Sequence, residues 1–180
     1  MFDTISASTN LNRKAKMGMR IFRAGTGKWE KLGFTWNTKQ FLRESGIQFL
    51  NLFRTRKGFA TVLTQIGEEY ITDKLQETIQ TTPDWIDWGT GAGTAAKSDT
   101  ALFAESTEAR VQGTMSQPAA DKLRVVGTMT CAGAGKTITN AGSFTVSTKA
   151  TGPLIIHGDF TGIVLAVGDK IEFSVDLEIS

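Results

Sequence analysis

The chain has 180 residues, 40% of them hydrophobic and 21% charged, enough for one sizeable core with an appendage. No apolar run approaches the ~20 residues that span a bilayer, the opening MFDTISASTNLNRKAK lacks the apolar stretch of a signal peptide, and a lone Cys131 excludes an intrachain disulfide framework. The expectation is a protein made and used without export or membrane insertion. The net charge of +2 hides a split: residues 1–60 carry twelve Lys and Arg against three acids, and the remainder carries eight against fifteen. Opposite charge on separate segments suits head-to-tail contact between copies, or docking of the basic segment on an acidic partner.

Residues 1–58 show no sustained periodicity, because glycines from Gly18 to Gly58 interrupt them while aromatics alternate with bases. The segment is too apolar for a disordered tail and too interrupted for a core of its own, so it reads as an extended basic arm. Its expected partner-binding residues are Arg13, Lys14, Lys16, Arg20, Arg23, Trp29, Trp36, Phe41, Phe49, Phe53, Arg54, Arg56 and Lys57, since aromatic and Arg side chains dominate interfaces. The alternative is that these aromatics fold back on the host domain as an extra strand pair, for which residues 20–36 are candidates. From Phe59 the rhythm changes: Phe59, Leu63, Ile66 and Tyr70, extended by Val62, Ile71, Leu75 and Ile79, predict one helix within 59–82, closed by Thr81, Thr82 and Pro83.

From Asp84 onward two-residue alternation predicts strands at Trp85–Trp88, Arg110–Ser116, Leu123–Cys131, Ser143–Ser147, Leu154–Phe160 and Lys170–Ile179. Short strands with turn signals between them predict a mainly β chain: an antiparallel β-sandwich, jelly-roll-like, over 83–180, with one helix and the basic arm. The Gly89–Ser106 loop is long and rich in small residues, which marks it as functional or packed on a neighbour.

The candidate chemistry is thin. Gly133-Ala-Gly-Lys-Thr137 resembles the end of a phosphate-binding loop, but Thr130 stands where the first glycine belongs and the flanks read as strands, so a hairpin turn is expected. Gly89, Gly91 and Gly93 fail the dinucleotide spacing at Thr94 and read as a flexible turn. Asp84 and Asp87, three apart on a strand, fall on opposite faces and read as solvated acids rather than a glycosidase pair. His157 and Cys131 read as core filling, with no metal set and no cofactor. These readings exclude an enzyme. Contact with protein is favoured over nucleic acid, because the acidic remainder would repel a polyanion.

Residues 85–102, WIDWGTGAGTAAKSDTAL, followed by Glu105, Glu108, Arg110 and Val111, resemble a segment of tailed-bacteriophage virion proteins: strand, G-T-G, small residues, S-D-T-A-L, acids, Arg-Val strand. Ile138-Thr-Asn-Ala-Gly-Ser-Phe144 is similar to its I-T-E-A-G-L-F turn, with Asn140 for the acid and Ser143 for the leucine. Val167-Gly-Asp-Lys170 and the alternating last strand are similar to its ending. The resemblance covers about residues 63–180. It implies a non-enzymatic virion structural protein, assembled in the host cytoplasm. Capsid decoration is the leading expectation, with neighbouring capsid protein as partner and homo-oligomers, trimers among them. A neck, tail or fibre-base component is the alternative. A glycan-binding fibre head would instead expose Trp85 and Trp88.

Overall fold

A computed structural model of the chain describes residues 13–32, 60–79 and 81–179. In chain order these form β1 (Arg13–Arg23), β2 (Lys28–Leu32), β3 (Ala60–Leu63), α1 (Gln65–Leu75), β4 (Trp85–Gly89), β5 (Val111–Gln112), β6 (Thr114–Ala119), β7 (Lys122–Thr130), β8 (Lys136–Phe144), β9 (Leu154–Leu165) and β10 (Lys170–Ile179). The strands build two five-stranded sheets, ordered β2-β1-β10-β7-β6 and β3-β9-β8-β4-β5, with every pairing antiparallel. The expected mainly β sandwich with a single helix is the fold of the described residues. Its core lies between the sheets, where Ile21, Ile86, Trp88, Met129, Ile138, Leu165, Ile171 and Phe173 are sealed from solvent.

The extended-arm reading is corrected for residues 13–32. Met17, Met19 and Ile21 alternate with Lys16, Gly18 and Arg20, so β1 presents one apolar and one polar face and pairs with β10 along ten residues, from Arg13 opposite Ile179 to Phe22 opposite Lys170. β2 returns on it through a turn in which Gly27 has φ 65°. The extra strand pair is therefore realised by the chain's own hairpin. Residues 33–59, with Trp36, Phe41, Phe49, Phe53, Arg54, Arg56 and Lys57, lie outside the described residues.

The helix is shorter than its apolar pattern. Residues 60–63 pair with β9 as a strand, and Thr64 then starts α1: its Oγ1 accepts from the Gly67 N–H at 2.9 Å and lies 2.5 Å from the Leu154 carbonyl, to which it donates. Gly67 is needed there, because a Cβ would sit 2.4 Å from the Ile155 carbonyl oxygen of β9. The helix ends at Leu75, ahead of Glu77 at φ 57°, and Leu75 is 82% exposed rather than part of the buried stripe.

β8 runs Lys136–Phe144 instead of Ser143–Ser147. Both faces of its second half are covered, so alternation disappears into a continuous buried run. The Gly133–Thr137 stretch is not a hairpin, because it carries the chain from β7 in one sheet to β8 in the other, with Gly133 at φ 72°. Gly113 makes the second corner, between β5 and β6, where a Cβ would lie 2.7 Å from Val125 Cγ1.

Candidate functional site

Two regions hold the residues singled out by sequence. The first is the outer face of the β1-β10-β7 sheet. Antiparallel register places Arg20 opposite Glu172 with their charged ends 2.6 Å apart, and Lys16 reaches Glu178 at 3.0 Å. On the far side of β10, Arg124 grips Asp176 through two 2.7 Å hydrogen bonds and Lys122 meets Glu178 at 3.2 Å. Each acid of β10 is thus answered from a flanking strand. At the hairpin end Arg23 bonds Asp169 at 2.8 Å, and Asp169 also accepts the N–H groups of Ala24 and Ala166. Burial opposes ionisation of Asp169, but these donors outweigh it and hold its pKa below the carboxylate range.

Of the expected partner-binding set, Lys16, Arg20 and Arg23 are therefore engaged inside the chain. The backbones of Arg13 and Lys14 pair with Ile179 and Glu178 of β10. Trp29 is 43% exposed on the edge strand, and Arg20 is exposed beside it. Its ring stands 5.4 Å from Phe22 and 4.5 Å from the Arg20 guanidinium, and Lys170 lies 5.9 Å from the Phe22 ring. Lys31, exposed beside Arg20, completes a cationic aromatic face. Lys31 and Lys170 were missed by sequence reasoning, which had no means of knowing that Phe22 faces outward between them.

The second region is the Gly89–Ser106 loop, which folds over the outer face of the other sheet. It is not a flexible turn. A Cβ on Gly91 would lie 2.7 Å from the Phe103 carbonyl carbon, and one on Gly93 would lie 2.5 Å from the Phe103 ring, so these glycines exist to let the two arms of the loop touch. Asn140 of β8 clamps both arms: Oδ1 accepts from the Phe103 N–H at 3.1 Å, and Nδ2 lies 3.1 Å from the carbonyls of Gly91 and Phe103. Fully buried His157 bonds Asp99 at 2.6 Å, and its ring lies 4.7 Å from that of Phe103, tilted by 57°. Asp99 also caps the Ala96 N–H, and Asp159 holds Ala95.

The acids of this region are not solvated. Asp87 is fully buried and accepts from the Trp88 N–H, from Lys149 and, at 3.4 Å, from Arg110. The sequence reading of Asp84 and Asp87 as solvated acids is corrected, because nothing in the two-residue pattern signalled that a loop covers Asp87. Burial pushes its carboxyl up, and the Lys149 ammonium partly offsets that rise. Buried Arg110 also bonds Glu105 at 2.8 Å and the Val146 and Thr151 carbonyls, and its guanidinium lies 3.5 Å over the Phe144 ring. Asp84 accepts from Gln112 at 2.9 Å. Glu108 receives Lys136, Ser106, the Ala132 N–H and the Trp88 indole N–H. Burial would raise the Glu108 pKa, yet Lys136, Ser106 and the Ala132 N–H pull it down to about 2.

Trp88 is thus an interior ring, edge-on to Phe173 at 6.2 Å, and Trp85 is half-buried against Leu102, Phe144 and Leu154. The pair makes no open stacking platform. Cys131 is buried with its thiol pushed up by desolvation, and no group of three or more metal-binding side chains occurs among the described residues. No protein-family model matches the chain, and neither a curated protein nor a solved structure does.

Proposed function

We propose that the chain is a non-enzymatic structural protein of a tailed-bacteriophage particle, and that it acts as a capsid decoration protein bound to neighbouring capsid subunits. One observation carries this reading. The segments that resemble virion proteins lie far apart in sequence yet converge on one another: β4 pairs with β8 from Trp85 opposite Phe144 to Gly89 opposite Asn140, and Asn140 ties down the G-T-G and S-D-T-A-L-F arms. Glu105, Glu108 and Arg110 of the same pattern are ion-pair partners inside the clamp. Mutual support of this kind is what a structural scaffold requires, and it supports the non-enzymatic reading. The open cationic aromatic face around Trp29 supplies a surface through which such a scaffold would contact its neighbours in the particle, a second copy of the chain among them.

The test is re-addition. Particles assembled without this chain should take up the purified protein to saturation and then resist heating better, and Trp29→Ala should weaken the uptake. Particles that bind none of it would refute decoration. Binding confined to the neck or tail would move the chain to that alternative.

A further inference from the structure

The face around Trp29 has a counterpart on the same molecule. Glu68, Glu69 and Asp73 of α1, with Gln65, Thr72 and Lys97, line a shallow cleft of about 490 Å³, and the 82%-exposed Leu75 stands on the same helix. Each surface joins one exposed large apolar side chain to charge of a single dominant sign. Around Trp29, Arg20, Lys31 and Lys170 outnumber Glu172, which pairs with Arg20, whereas on the helix that carries Leu75 the acids Glu68, Glu69 and Asp73 outnumber Lys74 and Lys97, the latter paired with Glu68. The surfaces cannot meet within one chain. α1 follows Leu63, which pairs with Ile156 near the start of β9, whereas the Trp29 face adjoins Lys170, beyond the end of that twelve-residue strand.

We propose that the outer face of β1–β2 docks on α1 of a second copy of this chain, with Trp29 and Leu75 as apolar centres and the opposite charges as rims. The occupant is a copy rather than an unrelated protein because the chain itself supplies both complementary surfaces, and complementary potentials select partner and register. Two different patches in contact make a heterologous interface, which closes into a ring or continues as a filament. The contact goes beyond the virion assignment and fails or stands separately from it.

Sedimentation velocity of the full chain tests it. Self-association should be evident at about 50 mM salt and weaker at about 500 mM, where exposed charges are screened. Lys31→Glu with Lys170→Glu gives one variant, and Glu69→Lys with Asp73→Lys gives the other. Each alone should associate at least about tenfold more weakly than wild type. An equimolar mixture should recover association, because the acidic face of one variant then meets the basic helix of the other; recovery also shows that both are folded. A wild-type chain that stays monomeric at low salt, or variants that associate as wild type does, would overturn the proposal. If wild type stays monomeric while Lys31→Glu with Lys170→Glu abolishes uptake by particles, the face serves another virion protein and only the copy-to-copy contact is lost.

Discussion

Ser143 places its hydroxyl at a buried position of β8 opposite Ile86 and Ile156, and among the described residues it is the one buried side-chain polar atom without a hydrogen-bond partner. Removing an unsatisfied buried hydroxyl relieves its desolvation penalty, so Ser143→Ala should stabilise the fold by about 1 kcal/mol, a rise of a few degrees in a thermal melt. Glu108 acts in the opposite sense. Its folded pKa of about 2 lies below the ordinary 4.5, so its contribution is complete above pH 4.5 and fades as the pH falls towards 2. Glu108→Gln should therefore melt earlier than wild type at pH 7, by about 1–3 kcal/mol for the lost charged hydrogen bonds, and the gap should close across that acid window. A constant gap from pH 7 to pH 2 would show that ionisation of Glu108 is not what stabilises the clamp.

At the scale of elements, β10 was legible because it has one core face and one open face, and its period of two survives in the sequence as Ile171, Phe173, Val175 and Leu177 against Glu172, Ser174 and Asp176. β8 was not, because the loop buries its outer face and residues 140–144 are all apolar, small or internally bonded. β1 was hidden by Gly18, a break in the sequence pattern that the structure accommodates as a buried residue opposite Ser174 of β10. Its role in the core reverses one expectation. Deleting residues 1–58 removes Met17, Met19 and Ile21 and uncovers a whole edge of β10, so the remainder should be insoluble or unfolded by circular dichroism rather than an independent domain. A cooperative melt from that truncation would show that β1 is dispensable. Both edges of the sheet that holds β1 are guarded: β2 carries Lys28 and Lys31, and β6 carries Pro118 and a register shift between Ser116 and Ala119.

Over the whole molecule, the charge split that dominates the sequence is partly spent internally, since bases of β1 face acids of β10 across one sheet. Composition revealed the imbalance but not where it resolves, because register decides which charges meet. Trp29 with its neighbouring cations and the acidic helix remain open to solvent, as do Val164, Val167 and Met115. The Gly89–Ser106 loop stood out in the sequence by its length and its small residues, yet nothing in that stretch hinted that His157 and Asn140 lie beneath it. The most direct test of the assignment is the number of copies of this chain in purified particles, counted by quantitative mass spectrometry against the major capsid protein. The decoration role predicts on the order of hundreds, following capsid symmetry. Copies numbering about six or twelve would contradict it in favour of a neck or tail ring, and a count of zero would contradict the virion reading itself.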